Sequence, residues 1–242
     1  MASTTIEWAQ KVWNPVTGCT KISDGCKNCY AERMARRICH MGHPNYVNGF
    51  VPTTHPHELA TPAKWQKPQR IFVCSMSDLF HPDVPCEFIH DVFRVMNGLP
   101  RHIFMTLTKR AMIMASYRYS IPLSWTENIW AGVTIESSKY LFRLEDVRLL
   151  QDVTRRYISF EPLLDDVGTL DLTGIHWVIV GGESGPYARP MKKDWVTSIR
   201  DQCIEQKVPF FFKHWGGTKK TLTGRLVDGR TWDQIPEGEK NG

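Results

Sequence analysis

From about residue 70 onward, short apolar runs alternate with stretches that have the apolar spacing of a helix. The apolar runs are residues 70–74, 102–107, 129–135, 156–160, 177–180 and 209–212. The helical stretches are residues 86–97, 139–150 and 195–206. Strands that are apolar on both faces and alternate with helices form mainly parallel sheets, because parallel strands need long crossover connections. The pattern therefore predicts an α/β fold.

A further strand near residues 13–17 brings the number of βα units to about seven. We therefore expect a single-domain partial or small (β/α) barrel over residues 1–242, with mainly parallel strands. Residues 40–69 are rich in Pro and His and lack periodicity, so we expect an irregular excursion there. Residues 217–242 are predicted to be a short C-terminal extension, with a small hairpin around residues 224–228.

The apolar runs are too short to span a bilayer, and the N-terminus lacks the pattern of a signal peptide. We therefore expect a cytoplasmic protein without a membrane partner. The formal net charge of +5 is compatible with a nucleic-acid partner, since Lys and Arg release counterions from phosphates. The excess of positive charge is too small to decide the matter.

Three of the seven cysteines lie close together in the sequence: Cys19, Cys26 and Cys29, in the spacing C-x6-C-x2-C. An odd number of cysteines with one tight group is typical of metal binding rather than of a disulfide framework. Three thiolates could hold a 4Fe-4S cluster and leave one iron open for a small molecule. A helix is predicted to start near Cys29, which would place the ligands at a helix N-terminus.

The spacing alone leaves other interpretations open. A structural zinc site needs four ligands, and Cys39, His40 or His43 could supply the fourth. Three unrelated thiols are a further interpretation, because a lone C-x2-C is common.

Residues 13–35 resemble the opening of the phage Gp37/Gp68-type proteins, whose three-cysteine loop is similar to an elongated radical SAM motif. The usual radical SAM spacing is C-x3-C-x2-C, so the first gap is longer here. The resemblance continues through residues 75–80, 107–110, 132–136, 159–163, 178–186 and 211–216. It implies a barrel of the radical SAM type in which Cys19, Cys26 and Cys29 bind a 4Fe-4S cluster. It also implies S-adenosylmethionine as cofactor and an external electron donor as partner.

The polar residues at the predicted strand ends are candidates for binding that cofactor, because parallel βα folds place working residues at this edge of the sheet. Ser75, Ser77 and Asp78 would accept the amino group of the methionine moiety, and a helix N-cap or turn is the alternative interpretation. Thr108 and Lys109 would meet its carboxylate or a substrate phosphate. The remaining candidates for cofactor binding are Tyr30, Thr134, Glu136, Glu161 and Gly182.

The last predicted strand ends supply candidate catalytic residues. Lys213 and His214 combine a cation with a titratable imidazole, and Glu183 adds a carboxylate after a glycine pair. Trp215 offers a surface on which a nucleobase could stack, although a core tryptophan at the barrel rim is equally compatible.

The resemblance implies a radical SAM enzyme that abstracts a substrate hydrogen. We expect an isomerase that rearranges an amino-acid substituent on a hypermodified thymine, with modified DNA or a nucleotide as substrate, in the cytoplasm of a phage-infected host. One alternative is a zinc-stabilised nucleic-acid-binding protein without catalysis. Another is a phosphoryl-transfer or hydrolytic barrel with a divalent metal held by Asp78, Glu136, Glu161 and Glu183.

Overall fold

The computed structural model describes residue 4, residues 6–117 and residues 122–236. Its strands are β1 (Lys11–Trp13), β2 (Val16–Thr17), β3 (Thr53–Thr54), β4 (Arg70–Val73), β5 (Ile103–Thr108), β6 (Ile129–Thr134), β7 (Arg156–Phe160), β8 (Trp177–Gly181) and β9 (Phe210–His214). Seven of them form one sheet in the order β1-β4-β5-β6-β7-β8-β9, and every neighbouring pair is parallel. The strands β2 and β3 form a separate antiparallel pair.

Helices connect the parallel strands and cover the outer face of the sheet. They are α1 (Tyr30–His40), α2 (Cys86–Asn97), α3 (Ala111–Ser116), α4 (Phe142–Arg148), α5 (Lys193–Glu205) and α6 (Lys220–Thr223). In α2, for example, Phe88, Val92 and Met96 lie on one face and are buried in the core between helices and sheet. Within the described ranges, none of the helices has the length and apolarity needed to cross a bilayer.

The inner face of the curled sheet carries a layer of large, mostly aromatic side chains. They are Phe72, Met105, Trp130, Tyr157, Trp177 and Phe211, joined by Trp8 from the N-terminal segment. The Trp177 ring lies 5.8–6.3 Å from the rings of Trp8, Trp130, Tyr157 and Phe211. A Cβ at Gly132 would lie 2.2 Å from the Tyr157 ring, so the glycine makes room for it. This aromatic floor fills the lower part of the barrel.

The predicted partial (β/α) barrel with mainly parallel strands is confirmed. The predicted first strand over 13–17 is wrong in its extent. It is divided at Pro15, which lacks an N–H for a sheet ladder, so β1 ends at Trp13 and β2 pairs with β3 instead. The short helix α3 was not predicted.

The structure agrees to different degrees with the predictions for residues 40–69 and for residues 217–242. The excursion over 40–69 is built from the 3-10 helices Pro44–Tyr46, Pro56–Ala60 and Pro62–Lys64, together with β3. The predicted hairpin around 224–228 is reduced to one bridge between Val227 and Arg230. Residues 237–242 of the predicted extension lie outside the described residues, and the single domain over 1–242 stays a prediction.

Candidate functional site

A cavity of about 380 Å³ opens at the carboxyl ends of the parallel strands. The cysteine loop, the start of α1, the segments after β4, β5, β7 and β8, and the end of β9 surround it, and Trp8 and Phe72 of the aromatic floor line it from below. All predicted site residues except Glu136 and Trp215 line this cavity. They are Cys19, Cys26, Cys29, Tyr30, Ser75, Ser77, Asp78, Thr108, Lys109, Thr134, Glu161, Gly182, Glu183, Lys213 and His214.

The cysteine loop is held in place by its backbone. Gly18 has a φ of +80°, and a Cβ there would lie 2.2 Å from the carbonyl oxygen of Val51. The Gly18 N–H donates to the Met76 carbonyl over 3.0 Å, and the Cys19 N–H donates to the Phe50 carbonyl over the same distance. Cys29 directly precedes α1. The loop therefore presents its thiols to the cavity on a fixed backbone.

All three thiols are free and half-buried, and they face the same cavity. This donor set fits a 4Fe-4S cluster, in which each thiolate binds a different iron and the ligands stand further apart than around a single ion. In the described part of the chain, no three His, Cys, Asp or Glu side chains are grouped closely enough to hold one ion.

The candidate fourth zinc ligands, Cys39, His40 and His43, do not line the cavity. The ring nitrogens Nδ1 of His40 and His43 bond to the Arg36 carbonyl and the Asn45 N–H instead. The interpretation as a closed zinc site is therefore not supported.

Arg110 connects the first cysteine to the strand ends. Its Nη1 lies 3.4 Å from the Cys19 sulfur and 3.0 Å from the Asp78 carboxylate. Burial and the Asp78 charge raise the pKa of the Cys19 thiol, and Arg110 opposes them. Because a metal ligand must be a thiolate, the guanidinium favours the form of Cys19 that binds iron.

Asp78 already has four donors. Its Oδ1 accepts from the Thr108 hydroxyl and the Phe80 N–H, and its Oδ2 accepts from the Lys109 N–H and from Arg110. Four donors fill the lone-pair sites of a carboxylate. We therefore assign Asp78 to holding Arg110 and the end of β5, and the prediction that it accepts the cofactor's amino group is not supported.

The predicted contact of Glu136 with the cofactor is not supported. Its carboxylate is 0% exposed and lies behind the cysteine loop. It pairs with Arg143 over 2.7 Å and accepts from the Ser23 hydroxyl, and Lys109 lies 3.6 Å away. A Cβ at Gly25 would lie 2.4 Å from Glu136 Cγ. Glu136 therefore anchors the loop that carries the cysteines.

The predicted catalytic role of Glu183 is not supported either. Its oxygens accept from Asn28 over 3.0 Å and from three nitrogens of Arg189 over 2.6–2.9 Å. Burial raises the pKa of Glu183, but the hydrogen bonds from Arg189 and Asn28 outweigh it and the pKa is lowered. The carboxylate thus ties the segment after β8 to the cysteine loop.

Lys213 on β9 forms an ion pair with Glu161, which follows β7. The two side chains meet across Gly181 of β8, where a Cβ would lie 3.3 Å from Lys213 Cβ. Burial raises the pKa of Glu161, but the charges of Lys213 and His214 outweigh it and lower the pKa. The pair and His214 form a polar wall of the cavity. Gly182 lies beside them, and its missing side chain admits the Trp215 carbonyl rather than a ligand.

The stacking role expected for Trp215 is wrong. Its ring packs 4.9 Å from that of Phe212, its Nε1 donates to the Leu226 carbonyl, and it does not line the cavity.

Each of the four carboxylates proposed for a divalent metal has its own cationic partner. The pairs are Asp78–Arg110, Glu136–Arg143, Glu161–Lys213 and Glu183–Arg189. Pairing of this kind neutralises each carboxylate separately rather than leaving their charges to a shared cation. The interpretation as a divalent-metal hydrolase is therefore not supported.

Comparison with known proteins identifies the family of this chain. The family model described as "Protein of unknown function (DUF5131)" matches residues 3–236. The chain belongs to the DUF5131 family. No curated protein matches this DUF5131 chain.

Solved structures of spore photoproduct lyase are similar to the DUF5131 chain in fold. A Tyr-to-Phe mutant of that enzyme has a TM-score of 0.56 at 10% identity, over 88% of this chain and 78% of that one. The form with bound AdoMet (S-adenosylmethionine) and dinucleoside spore photoproduct has a TM-score of 0.54 at 12% identity, with the same coverage. These likenesses confirm the predicted fold, a partial (β/α) barrel with mainly parallel strands.

Several residues of the DUF5131 cavity were missed by sequence reasoning. Arg110 and Arg189 hold predicted site residues, but a sequence does not show which carboxylate an arginine will meet. Ser159 lines the cavity with its Oγ buried and without a hydrogen-bond partner. Its position on β7, two residues before Glu161, was a usable signal, because alternate residues of a strand share a face.

Proposed function

We propose that this DUF5131 protein is a radical SAM enzyme in which Cys19, Cys26 and Cys29 hold a 4Fe-4S cluster. One observation carries the proposal: the three free thiols line the same cavity as the polar strand ends of the barrel. The likeness to spore photoproduct lyase, of which one structure contains AdoMet, supports S-adenosylmethionine as the second occupant.

Held by Cys19, Cys26 and Cys29, the cluster would supply one electron, received from an external donor, for reductive cleavage of S-adenosylmethionine to methionine and a 5'-deoxyadenosyl radical that would abstract a substrate hydrogen. The side chains supply binding and orientation. The hydroxyls of Ser75 and Ser77 donate to Asn14 and to the Val16 carbonyl, and their oxygens can still accept from the methionine ammonium. Tyr30 fixes the same segment, because its hydroxyl donates to the Ser75 carbonyl over 2.6 Å.

The opposite wall of the cavity suits a polar substrate. Lys213 can donate to a carbonyl or phosphate oxygen while Glu161 balances its charge, and His214 lies beside them. Thr134 and the unpartnered Ser159 add hydroxyls on neighbouring strands. The aromatic floor below keeps water out of the reaction.

For the substrate we propose a hypermodified thymine in phage DNA, on which the enzyme rearranges an amino-acid substituent as an isomerase. Moving such a substituent requires hydrogen abstraction from an unactivated carbon, which radical chemistry provides. The net charge of +5 and the likeness to a lyase structure that contains a dinucleoside support a nucleic-acid substrate. A base in a duplex would have to leave the stack to reach the cavity.

The test is anaerobic reconstitution with iron and sulfide, followed by an assay for 5'-deoxyadenosine with S-adenosylmethionine and dithionite. We expect about four irons per chain, and 5'-deoxyadenosine only when the cysteine loop is intact, so Cys26→Ala should lose both. Cys74→Ala is the matched control: Cys74 also lines the cavity, but it directly follows β4 and lies outside the cysteine loop. Tightly held zinc without 5'-deoxyadenosine, or equal iron loss in both variants, would contradict the proposal.

A further inference from the structure

One cation at the mouth of the cavity differs from the others. Among the described residues that line the cavity, Lys109, Arg110 and Lys213 each pair with a carboxylate. Arg33 of α1 also lines the cavity, and no carboxylate of the described ranges forms an ion pair with it, since neighbouring Glu32 pairs with Lys21 and Arg36. A positive charge is therefore left over at the entrance.

The guanidinium of Arg33 is held against the backbone of the segment after β8. A Cβ at Gly185 would lie 2.4 Å from Arg33 Nη1 and 2.9 Å from its Cζ, and Gly185 has a φ of +123°. Only glycine adopts that conformation readily and leaves this space. The Arg33 guanidinium therefore lies close to the Gly185 backbone beside the cavity, and because Arg33 is exposed it can reach an anion at the entrance.

An exposed aromatic ring lies on the same segment. Tyr187 is 80% exposed, although its carbonyl accepts from Asn28 over 2.8 Å. Arg189 ties the segment further, since its Nη2 donates to the Asp24 carbonyl over 3.0 Å. Tyr187 follows Gly185 by two residues, so their Cα atoms are at most on the order of 7 Å apart. The exposed ring of Tyr187 and the guanidinium of Arg33 therefore both lie on or against the segment around Gly185.

We propose that Arg33 and Tyr187 form a rim that binds single-stranded nucleic acid, with Arg33 on a backbone phosphate and Tyr187 stacked on a base next to the one in the cavity. The inference rests on the proposed function for the base in the cavity. A guanidinium binds phosphate through two parallel hydrogen bonds, and an aromatic platform beside a cation is the usual arrangement for single strands.

The position of the ring distinguishes this ligand from a small phosphorylated molecule. Tyr187 does not line the cavity. A ligand that fits within the cavity would leave the ring in water, whereas a strand that continues past the entrance would cover it. An extended nucleic-acid strand satisfies both the phosphate and the stacking contact.

The experiment measures binding of the full chain to a fluorescein-labelled single-stranded DNA by anisotropy over a series of salt concentrations. Arg33→Gln should weaken binding about fivefold or more and reduce the slope of log K against log salt by about 0.7, the value for one lost phosphate contact. The matched control is Arg36→Gln, which removes the same charge from α1 at an exposed residue paired with Glu32. It should leave the slope nearly unchanged.

Stacking is tested separately. Tyr187→Ala should weaken binding about fivefold or more, and Tyr187→Phe should retain it, because the ring and not the hydroxyl makes the contact. Equal effects of the two arginine variants, or no binding by the unmodified protein at low salt, would overturn the inference.

The two proposals fail separately. If the protein forms 5'-deoxyadenosine but the Arg33 and Tyr187 variants bind DNA normally, only the inference about the rim is rejected. If the rim binds DNA but the protein forms no 5'-deoxyadenosine, only the proposed radical chemistry is rejected.

Discussion

Polar residues around the cavity differ in whether their atoms already have partners. The Ser77 hydroxyl donates to the Val16 carbonyl over 2.7 Å, whereas the buried Ser159 hydroxyl has no partner. An unmade hydrogen bond on a buried group costs about 1–3 kcal/mol of stability. A fold retains such a group where a ligand completes it, and Ser159 faces the cavity.

Ser159→Ala should therefore increase the free energy of unfolding by about 1 kcal/mol, because it removes an unsatisfied buried hydroxyl. Ser77→Ala, the matched control, should decrease it by about 1 kcal/mol, because a made bond is lost. Urea unfolding measures both. If Ser159→Ala is destabilising to the same extent as Ser77→Ala, the hydroxyl has a structural partner and this reasoning is wrong.

The lowered pKa of Glu183 predicts how the stability of the protein changes with pH. A carboxyl whose pKa is lower in the folded protein than in the unfolded chain contributes stability above its ordinary pKa of 4.5, and that contribution is lost as pH falls through the folded pKa. Glu183→Gln should thus be less stable than the unmodified protein at neutral pH, with a smaller loss of stability on acidification. Melting temperatures between neutral pH and about pH 3 test this, and parallel curves would contradict it.

At the scale of single residues, the sequence predicted well which residues surround the cavity. It predicted their individual roles less well. Glu136 and Glu183 follow buried strands, as predicted, but Arg143 and Arg189 bind them. Those arginines lie in segments whose path is set by tertiary packing. Pairing of charges between segments has no signature in the spacing of one sequence.

Among the structural elements, β8 owes its role to two consecutive glycines. Gly181 leaves space in which Lys213 and Glu161 meet, and Gly182 lies against the Trp215 backbone. Glycine therefore leaves room for two side chains at position 181 and for a backbone carbonyl at position 182.

Alanine substitutions should separate these two roles. At Gly182, the new Cβ would lie 2.1 Å from the Trp215 carbonyl oxygen, so backbone must move and the cost should be about 3 kcal/mol. At Gly181, the nearest atoms are side-chain carbons at 3.3–3.5 Å, so Gly181→Ala should cost about 1 kcal/mol or less. The shift in denaturation midpoint at constant m-value measures both. A larger loss at Gly181 would contradict this account.

The strands and long helices were predictable from sequence because their signal is local. The observed β7 and α2 have the predicted bounds, since a run of apolar residues or a helical period is complete within each element. The pairing of β2 with β3 joins residues far apart in the chain, and no local pattern specifies it. The helix α3 has six residues, too few to show a clear period.

At the scale of the whole molecule, the aromatic floor separates the cavity from the amino-terminal end of the barrel. Trp8 belongs to this layer and also lines the cavity, with 1% of its surface exposed. One side chain from outside the sheet thus joins the core to the site. Its removal should affect stability and cavity together.

Trp8→Ala should lower the free energy of unfolding by about 3–5 kcal/mol, the usual cost of removing a buried tryptophan. Trp195→Ala is the control, because Trp195 is only partly buried at the edge of the main core. Its cost should be clearly smaller. Thermal and urea unfolding provide the measurement, and equal losses in the two variants would show that Trp8 is not part of the packed floor.

The order of strands in the sheet has a consequence for synthesis. From β5 to β9, each strand pairs with the strand that leaves the ribosome just before it, β4 pairs with β1, and β1 does not pair with β9. The nascent chain can therefore add one βα unit at a time to a growing sheet, without waiting for a distant partner. The cysteine loop emerges before β4, and Lys213 and His214 emerge with β9. A translation product truncated before β9 would contain Cys19, Cys26 and Cys29 but would lack Lys213 and His214 of the polar wall.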